Sequence, residues 1–205
     1  MRYYRQILTT LALLLAVTAS AAETAADLLA RASSKYSNAK SIVATYTANI
    51  GGEPVTGTLT MAGNRFSIVS KPMSVWFDGK TQWTYSAAAR EVNITEPTAE
   101  EQAQVNPFAI LTSFSKKFNV AYEGAATGKL RKIVLTPKTR SGDISRAVIT
   151  IDTTTLFPTL ISITDASRQV TTIKVTRVTP GNGVPASTFT FDKRKYPGVD
   201  IVDLR

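Results

Sequence analysis

The sequence predicts a mainly β domain, in which an antiparallel sheet of about a dozen strands curls around its own apolar side. Short segments of alternating apolar and polar residues fill most of the chain, and turns containing glycine or asparagine separate them. One apolar face per strand is typical of an antiparallel sheet that faces water on its other side. Helical patterns at the start of the domain and near its middle are available to plug or cover the concave side.

The first 21 residues have the pattern of a secretory signal peptide. A start with two arginines is followed by an apolar stretch at residues 7–17, interrupted by two threonines, and by small residues before an expected cleavage between Ala21 and Ala22. This stretch is shorter than a membrane anchor requires. We therefore expect an exported mature chain, residues 22–205, that forms one domain.

The composition excludes several kinds of chemistry. The chain has no histidine and no cysteine, which excludes His-based acid–base catalysis, thiol catalysis and His- or Cys-ligated metal sites. Its acidic residues are scattered, and carboxylate-only catalysis is the route that stays open. We therefore expect no enzymatic activity, no cofactor and no metal. The formal net charge is +9, without a long basic run, and we expect no nucleic-acid partner.

Two stretches have helical patterns. In the first, Thr24 is a candidate N-cap and Asp27 completes a capping box. The apolar face of this helix contains Ala25, Leu28, Leu29, Ala32 and Tyr36. In the second stretch, Thr98 and Glu101 form another capping box, and Asn106 followed by a proline begins a further helix. The apolar face of that helix contains Phe108, Leu111, Phe114 and Phe118.

The hairpin that contains both tryptophans decides which aromatic side chains face the apolar side. Gly79 favours a three-residue loop, residues 77–79, because the last position of such a loop is left-handed. This register pairs Met73 with Trp83 and leaves Trp76 on the polar face, as a candidate surface for a partner. The residues then expected on the apolar face are Leu59, Met61, Phe66, Ile68, Met73, Val75, Trp83 and Tyr85.

Five motifs along the chain resemble those of the periplasmic lipoprotein carrier family, LolA. DGKTQWTY at residues 78–85 is similar to the family's DGKTLW-x-Y. The others follow in the family's order: NPFAIL at 106–111, VLTPK at 134–138, FTF at 189–191 and PGVD at 197–200. The resemblance covers nearly the whole mature chain.

The resemblance implies an unclosed antiparallel β-barrel, a strongly curved sheet of about 11 strands with helices forming a plug or lid over an apolar cavity. It also implies a periplasmic carrier that receives acylated lipoproteins from an inner-membrane ABC-type complex and passes them to an outer-membrane acceptor. We expect such a carrier to act as a monomer without a cofactor. The family's Arg-Pro pair, whose arginine helps to hold the lid closed, is missing here, and Arg65 is the nearest candidate for the latch.

A lipid-binding role requires a continuous apolar wall, since burying an acyl chain gains roughly 0.8 kcal/mol per methylene group. The candidate wall consists of Leu59, Met61, Phe66, Ile68, Met73, Val75, Trp83 and Tyr85, with Leu111 and Phe114 closing it from the helix. Two alternatives stay open. These side chains can form an ordinary filled core, and the protein can be a sensor or envelope protein of the same fold that binds lipid or lipoprotein without carrying it.

Overall fold

Twelve strands and one amphipathic helix make up most of the described chain. The computed structural model describes residues 22–50, 52–98, 101, 114, 116–139 and 144–205. The elements are α1 (Ala25–Asn38), β1 (Ser41–Ile50), β2 (Glu53–Ala62), β3 (Arg65–Ser70), β4 (Met73–Phe77), β5 (Gln82–Ser86), β6 (Glu91–Thr95), β7 (Phe118–Tyr122), β8 (Leu130–Pro137), β9 (Ile144–Asp152), β10 (Pro158–Asp165), β11 (Val170–Gly181) and β12 (Asp200–Asp203). Among these residues, no helix has the length and apolarity needed to cross a membrane.

Helix α1 begins with the predicted capping box. The Thr24 hydroxyl accepts a hydrogen bond from the Asp27 amide at 3.1 Å, and the Asp27 carboxylate accepts one from the Thr24 amide at 3.2 Å. The side-chain hydrogen bond with Thr24 also lowers the pKa of the Asp27 carboxyl. The buried residues of the helix are the five that were predicted, which confirms its apolar face.

The strands form one unclosed, curved sheet in the order β12-β6-β5-β4-β3-β2-β1-β11-β10-β9-β8-β7. Strands β1 to β6 follow one another in space as they do in sequence, and β11 returns to pair with β1. The described pairs are antiparallel, except that β12 lies parallel to β6. The predicted fold class is thus confirmed, with twelve strands in place of about 11.

The sheet has two sides that we name by what covers them. The helix face packs against α1, and the outer face is the opposite side. Directly opposed residues of neighbouring strands point to the same side, so the register assigns each side chain to a face. On β1 to β4 the helix face is apolar, with one row of Ile42, Met61, Phe66 and Phe77 and a second row of Ala44, Leu59, Ile68 and Val75. With α1 and the isoleucines of β8 to β11, these rows form the main core.

The predicted register of the tryptophan hairpin is wrong. The structure has a four-residue turn, residues 78–81, which places Phe77 opposite Gln82 and Trp76 opposite Trp83. Because Phe77 belongs to the main core, both tryptophans lie on the outer face, away from α1. The expectation that the two tryptophans face opposite sides of the sheet is therefore also wrong.

Local hydrogen bonds account for the longer turn. The Asp78 carboxylate accepts bonds from the amides of Lys80 and Thr81, at 2.9 and 2.8 Å, and the Asp78 amide donates to the Thr81 carbonyl at 3.2 Å. Gly79 has the expected positive φ, 108°. The glycine is therefore compatible with the predicted three-residue loop and with the observed four-residue turn. An aspartate that caps its own turn favours the four-residue form.

A second apolar core lies on the outer face of β3 to β6, where residues 184–205 cross the sheet. Phe189 is fully buried there. The ring centroid of Trp76 lies 5.6 Å from that of Phe191 and 5.7 Å from that of Tyr196. Trp76 is 7% exposed, so the chain's own C-terminal segment occupies the surface that was predicted for a partner.

The sequence also predicted a strand at residues 187–192, and this prediction is wrong. The segment forms a short 3₁₀ helix, Ala186–Phe189, followed by residues outside any strand, and a second short 3₁₀ helix, Lys193–Lys195, comes before β12. Small side chains of the sheet allow the close approach, since Ser67 and Ser74 are buried on the same face. The apolar alternation of Phe189 and Phe191 reflects packing on top of the sheet rather than pairing within it.

Most of the predicted central helical stretch lies outside the described residues, and Leu111 is among those. Its start is described: the Glu101 carboxylate accepts a hydrogen bond from the Thr98 amide at 2.7 Å, and the Thr98 hydroxyl accepts one from the Glu101 amide at 3.3 Å. This confirms the second capping box. Phe114 is described as buried, within the same core as α1.

Candidate functional site

A cavity of about 400 Å³ opens between the end of α1 and the hairpin of β2 and β3. Its volume falls within the range of ligand pockets, roughly 300–1,000 Å³. Its lining is mostly apolar and consists of Tyr36, Ser37, Ala39, Ile42, Met61, Ala62, Gly63 and Asn64. The cavity therefore has the size and surface chemistry that an apolar ligand requires.

Local sequence explains how the strand side of the cavity forms. Met61 stands opposite Ile42 on one side and Phe66 on the other, so three apolar side chains from three strands share the row. The turn that follows Met61 needs a left-handed residue, and Gly63 supplies it with φ of 61°. Met61 itself is half-buried, and a flexible thioether side chain adapts to ligands of different shape.

The helix side of the cavity is dominated by Tyr36. Its ring is packed edge-on against Phe157 at a centroid distance of 5.3 Å, and the Lys35 ammonium lies 5.0 Å from the same phenylalanine ring. Tyr36 is 6% exposed, and within the part of the chain that the structure describes its hydroxyl has no hydrogen-bond partner. Burial raises the pKa of this hydroxyl, which therefore stays protonated and keeps a free donor.

Seven of the predicted wall residues lie on the helix face or in the main core, in three groups. Met61 lines the cavity. Five others are buried in the main core behind it: Leu59, Phe66, Ile68, Val75 and Phe114. Met73 stands opposite Ser86, at the far end of the hairpin, and is 44% exposed. The structure thus unites six of the predicted residues in one apolar region, in which most side chains pack against each other.

Two predicted wall residues and the candidate latch lie elsewhere. Trp83 and Tyr85 are on the outer face, where the Tyr85 ring lies 4.6 Å from that of Tyr196. The guanidinium of Arg65 lies 5.0 Å from the ring centroid of Phe189, in the outer core. This position is on the other side of the sheet from α1, so the geometry gives Arg65 a packing contact with the C-terminal segment in place of a contact with a lid.

The sequence interpretation missed the contribution of the end of α1. Tyr36 was recognised as part of an apolar helix face, and Ile42 was recognised as part of a strand, but nothing in the sequence showed that they meet. One signal was available: Tyr36 is a large residue in the last turn of the helix, close to the loop that leads into β1.

The helix face changes from apolar to polar between β4 and β5. Opposite Phe77, Val75 and Met73 stand Gln82, Thr84 and Ser86 of β5, and the next strand continues the rows with Thr95, Asn93 and Glu91. We call these six residues of β5 and β6 the polar patch: Gln82, Thr84, Ser86, Glu91, Asn93 and Thr95. On the outer face the order is reversed, because there β5 and β6 present Trp83, Tyr85, Val92 and Ile94.

Helix α1 is held against the far end of the sheet by polar contacts at its N-terminus. The Glu23 carboxylate accepts hydrogen bonds from Arg31 and, at 2.9 Å, from Arg131. Arg131 also donates to the Tyr122 hydroxyl at 3.3 Å, a bond that raises the pKa of the arginine. Within the described residues, no group of three or more acidic side chains is placed to hold a metal ion. These charges therefore position the helix.

A curved, unclosed sheet whose apolar face holds a helix and a cavity places the protein among the curved-sheet folds that leave room for a ligand. Its family is defined by sequence. The family model described as "Outer membrane lipoprotein carrier protein LolA" matches residues 15–167, and the chain belongs to that family. No curated protein matches the chain.

Two solved structures are similar to this chain. An uncharacterized conserved protein from Thermus thermophilus is 14% identical, with a TM-score of 0.58 over 87% of this chain and 98% of that one. A LolA superfamily protein from Nitrosomonas europaea is 11% identical, with a TM-score of 0.45 over 82% of this chain and 98% of that one. At such identities, the first of these similarities supports the fold alone.

Proposed function

We propose that the protein carries lipoproteins across the periplasm by holding their acyl chains in the cavity between α1 and the helix face. The observation that carries the proposal is the apolar cavity itself, at Tyr36, Ile42 and Met61, in a chain that belongs to the LolA family. Burial of each methylene group contributes roughly 0.8 kcal/mol, so a single chain in an apolar cavity gives appreciable affinity.

The size of the cavity sets how it is used. A volume of about 400 Å³ lies near the lower end of the range for ligand pockets. A ligand with several acyl chains therefore requires the helix face to open further, and a movement of α1 away from the sheet is the simplest way. Helix α1 is attached at both ends, by the Glu23 contacts at its N-terminus and by a 2.8 Å hydrogen bond from Lys35 to the Thr155 carbonyl near its C-terminus. We expect the C-terminal end, with Tyr36, to move, because the cavity lies there and the Lys35 contact is a single bond between exposed groups.

The proposed route follows from the family. The predicted signal peptide, residues 1–21, would deliver the chain to the periplasm, where residues 22–205 form the carrier domain. The donor would be an inner-membrane ABC-type complex and the recipient an outer-membrane acceptor. A carrier of this kind needs no catalytic group, since loading and release are binding steps.

The direct test is native mass spectrometry of the exported protein isolated from cells without detergent. We expect bound acylated species on the wild-type protein. We expect Met61→Arg to lose most of this material, because a cation in the cavity costs several kcal/mol to bury unless it is paired. The control is Thr56→Arg, which puts the same charge on the exposed outer face of the same strand.

The two variants separate the outcomes. Retention of acylated species by Met61→Arg at the wild-type level would contradict the proposed site. Wild-type protein that is free of acyl material, in cells whose lipoproteins are still sorted correctly when the protein is depleted, would contradict the carrier role and favour a sensor or envelope protein of the same fold.

A further inference from the structure

The polar patch has no role in the acyl-binding proposal, although it continues the same face of the sheet. The row that borders the cavity passes through Ile42, Met61, Phe66 and Phe77 and then reaches Gln82 and Thr95. From Met61 to Gln82 there are three steps between strands of about 4.8 Å each, roughly 14 Å in total. A ligand on the helix face thus has apolar and polar surface within one molecular length.

The patch contains a buried hydrogen-bond acceptor, the side-chain oxygen of Gln82, that is not paired with a donor of the described residues. Gln82 is 7% exposed, and its side-chain oxygen is buried with no hydrogen-bond partner among the described residues, while its nitrogen donates to the Thr84 hydroxyl at 3.2 Å. The Glu91 carboxylate accepts one bond, from Asn93 at 2.8 Å, and has capacity for more. A buried acceptor without a donor is unfavourable, so a ligand that brings N–H groups would improve this part of the protein.

The charge of the patch selects among acyl ligands. One of its six residues is acidic and none is basic. The carboxylate of a free fatty acid or the phosphate of a phospholipid would meet Glu91, and none of the six patch residues offers it a cation, which is unfavourable. Peptide amides carry N–H donors and no charge, and they match both Glu91 and the unpaired oxygen of Gln82.

We propose that the polar patch binds the first peptide units of an acylated protein, whose acyl chain lies over β1 to β4. The inference builds on the acyl-binding function proposed above, and it adds where the peptide lies and why an acylated peptide is preferred to a free lipid. Gln82 lies at the border between the apolar rows and the patch, where its side-chain oxygen can accept a hydrogen bond from the amide next to the lipid. Glu91 lies two rows away, where its carboxylate can accept a hydrogen bond from an amide further along the peptide.

The test compares three synthetic probes with one palmitoyl chain each: a palmitoyl dipeptide amide, the same compound with every amide nitrogen methylated, and palmitic acid. Each probe is titrated into the protein, and the bound fraction is measured by native mass spectrometry. We expect wild-type protein to bind the unmethylated peptide about tenfold more tightly than the methylated one, which is the effect of a single charge-assisted hydrogen bond.

Two variants locate the effect. Glu91→Gln keeps the shape of a half-buried side chain, and Gln82→Met keeps the volume of a buried one. We expect Glu91→Gln to reduce the tenfold preference to about twofold or less, and Gln82→Met, which removes a neutral acceptor, to reduce it to about half its value. Binding of palmitic acid should be unchanged or tighter. The matched control is Glu53→Gln, which makes the same change at the exposed start of β2 and should keep the preference.

Three results are informative in different ways. Equal binding of the two peptides by wild-type protein would overturn this inference and leave the acyl-binding function intact. A preference that persists in both Glu91→Gln and Gln82→Met would overturn the placement of the peptide on the patch. Failure of all three probes to bind would contradict the acyl-binding function itself, and this inference with it.

Discussion

At the scale of single residues, the hydroxyl of Tyr36 is the most informative group in the cavity. It is buried and has no partner in the described ranges, and such a group lowers stability by about 1–3 kcal/mol relative to a paired one. We predict that Tyr36→Phe leaves the free energy of unfolding in urea unchanged or raises it by up to about 1 kcal/mol. A stabilised variant that binds acyl peptides less well would show that the hydroxyl is kept for the ligand.

The control for this prediction is Tyr122→Phe. The Tyr122 hydroxyl donates to the Thr24 carbonyl and accepts a bond from Arg131, both at 3.3 Å. Its loss should lower the free energy of unfolding by about 1 kcal/mol. If Tyr36→Phe lowered the free energy of unfolding by about 1 kcal/mol and Tyr122→Phe did not, the Tyr36 hydroxyl would have a hydrogen-bond partner and the prediction would be wrong.

At the scale of elements, the C-terminal segment decides how the sheet distributes its apolar surface. Phe189 belongs to this segment, is fully buried against the sheet and contacts Arg65. We predict that Phe189→Ala lowers the free energy of unfolding by about 3–5 kcal/mol, as expected for a large aromatic residue removed from a core. The tryptophan fluorescence of the folded variant should also shift to the red, because Trp76 gains contact with water.

The matched change in the same 3₁₀ helix is Ser187→Ala, at an exposed position, which should alter stability by less than about 0.5 kcal/mol. If Phe189→Ala were equally mild, residues 184–205 would be a loosely attached tail and the outer face would have no core of its own. That result would reopen the outer face as a surface for a partner.

The elements differ in how well the sequence predicts them, for a physical reason. Helix α1 was predicted with its cap and its apolar face because both depend on residues within one or two turns. The apolar residues of β2 and β3, which are Leu59, Met61, Phe66 and Ile68, were placed on one face for the same reason. The register of the tryptophan hairpin was predicted wrongly. Gly79 is compatible with a three-residue and a four-residue turn, and we selected the shorter one by assuming that all apolar residues share one face.

That assumption fails because a distant segment covers the outer face. Trp83 and Tyr85 are apolar on a side that residues 184–205 bury, more than 90 positions later in the chain. Alternation shows that a strand has two different faces, and it does not show which face meets which partner. The cavity was not predicted for a related reason. Tyr36 and Met61 belong to different elements, and the contact between these elements depends on tertiary packing that local sequence patterns do not show.

At the scale of the whole molecule, the sheet has two cores on opposite sides. The apolar side chains lie on the helix face from β1 to β4 and on the outer face at β5 and β6. The change of side occurs between β4 and β5. The arrangement leaves the helix face with an apolar region next to a polar one. It suits a ligand that is itself amphipathic, and an acylated protein is such a ligand.

The central claim is that acyl chains bind on the helix face, and fluorescence quenching by a brominated acyl chain tests it most directly. The probe is a palmitoyl dipeptide amide brominated near the end of its chain. Both native tryptophans lie on the outer face, so we predict that the wild-type protein is quenched little at saturation. We predict strong quenching in Met61→Trp, where the added indole lines the cavity. Strong quenching of the wild-type protein, or none in a Met61→Trp variant that still binds the probe, would contradict the account.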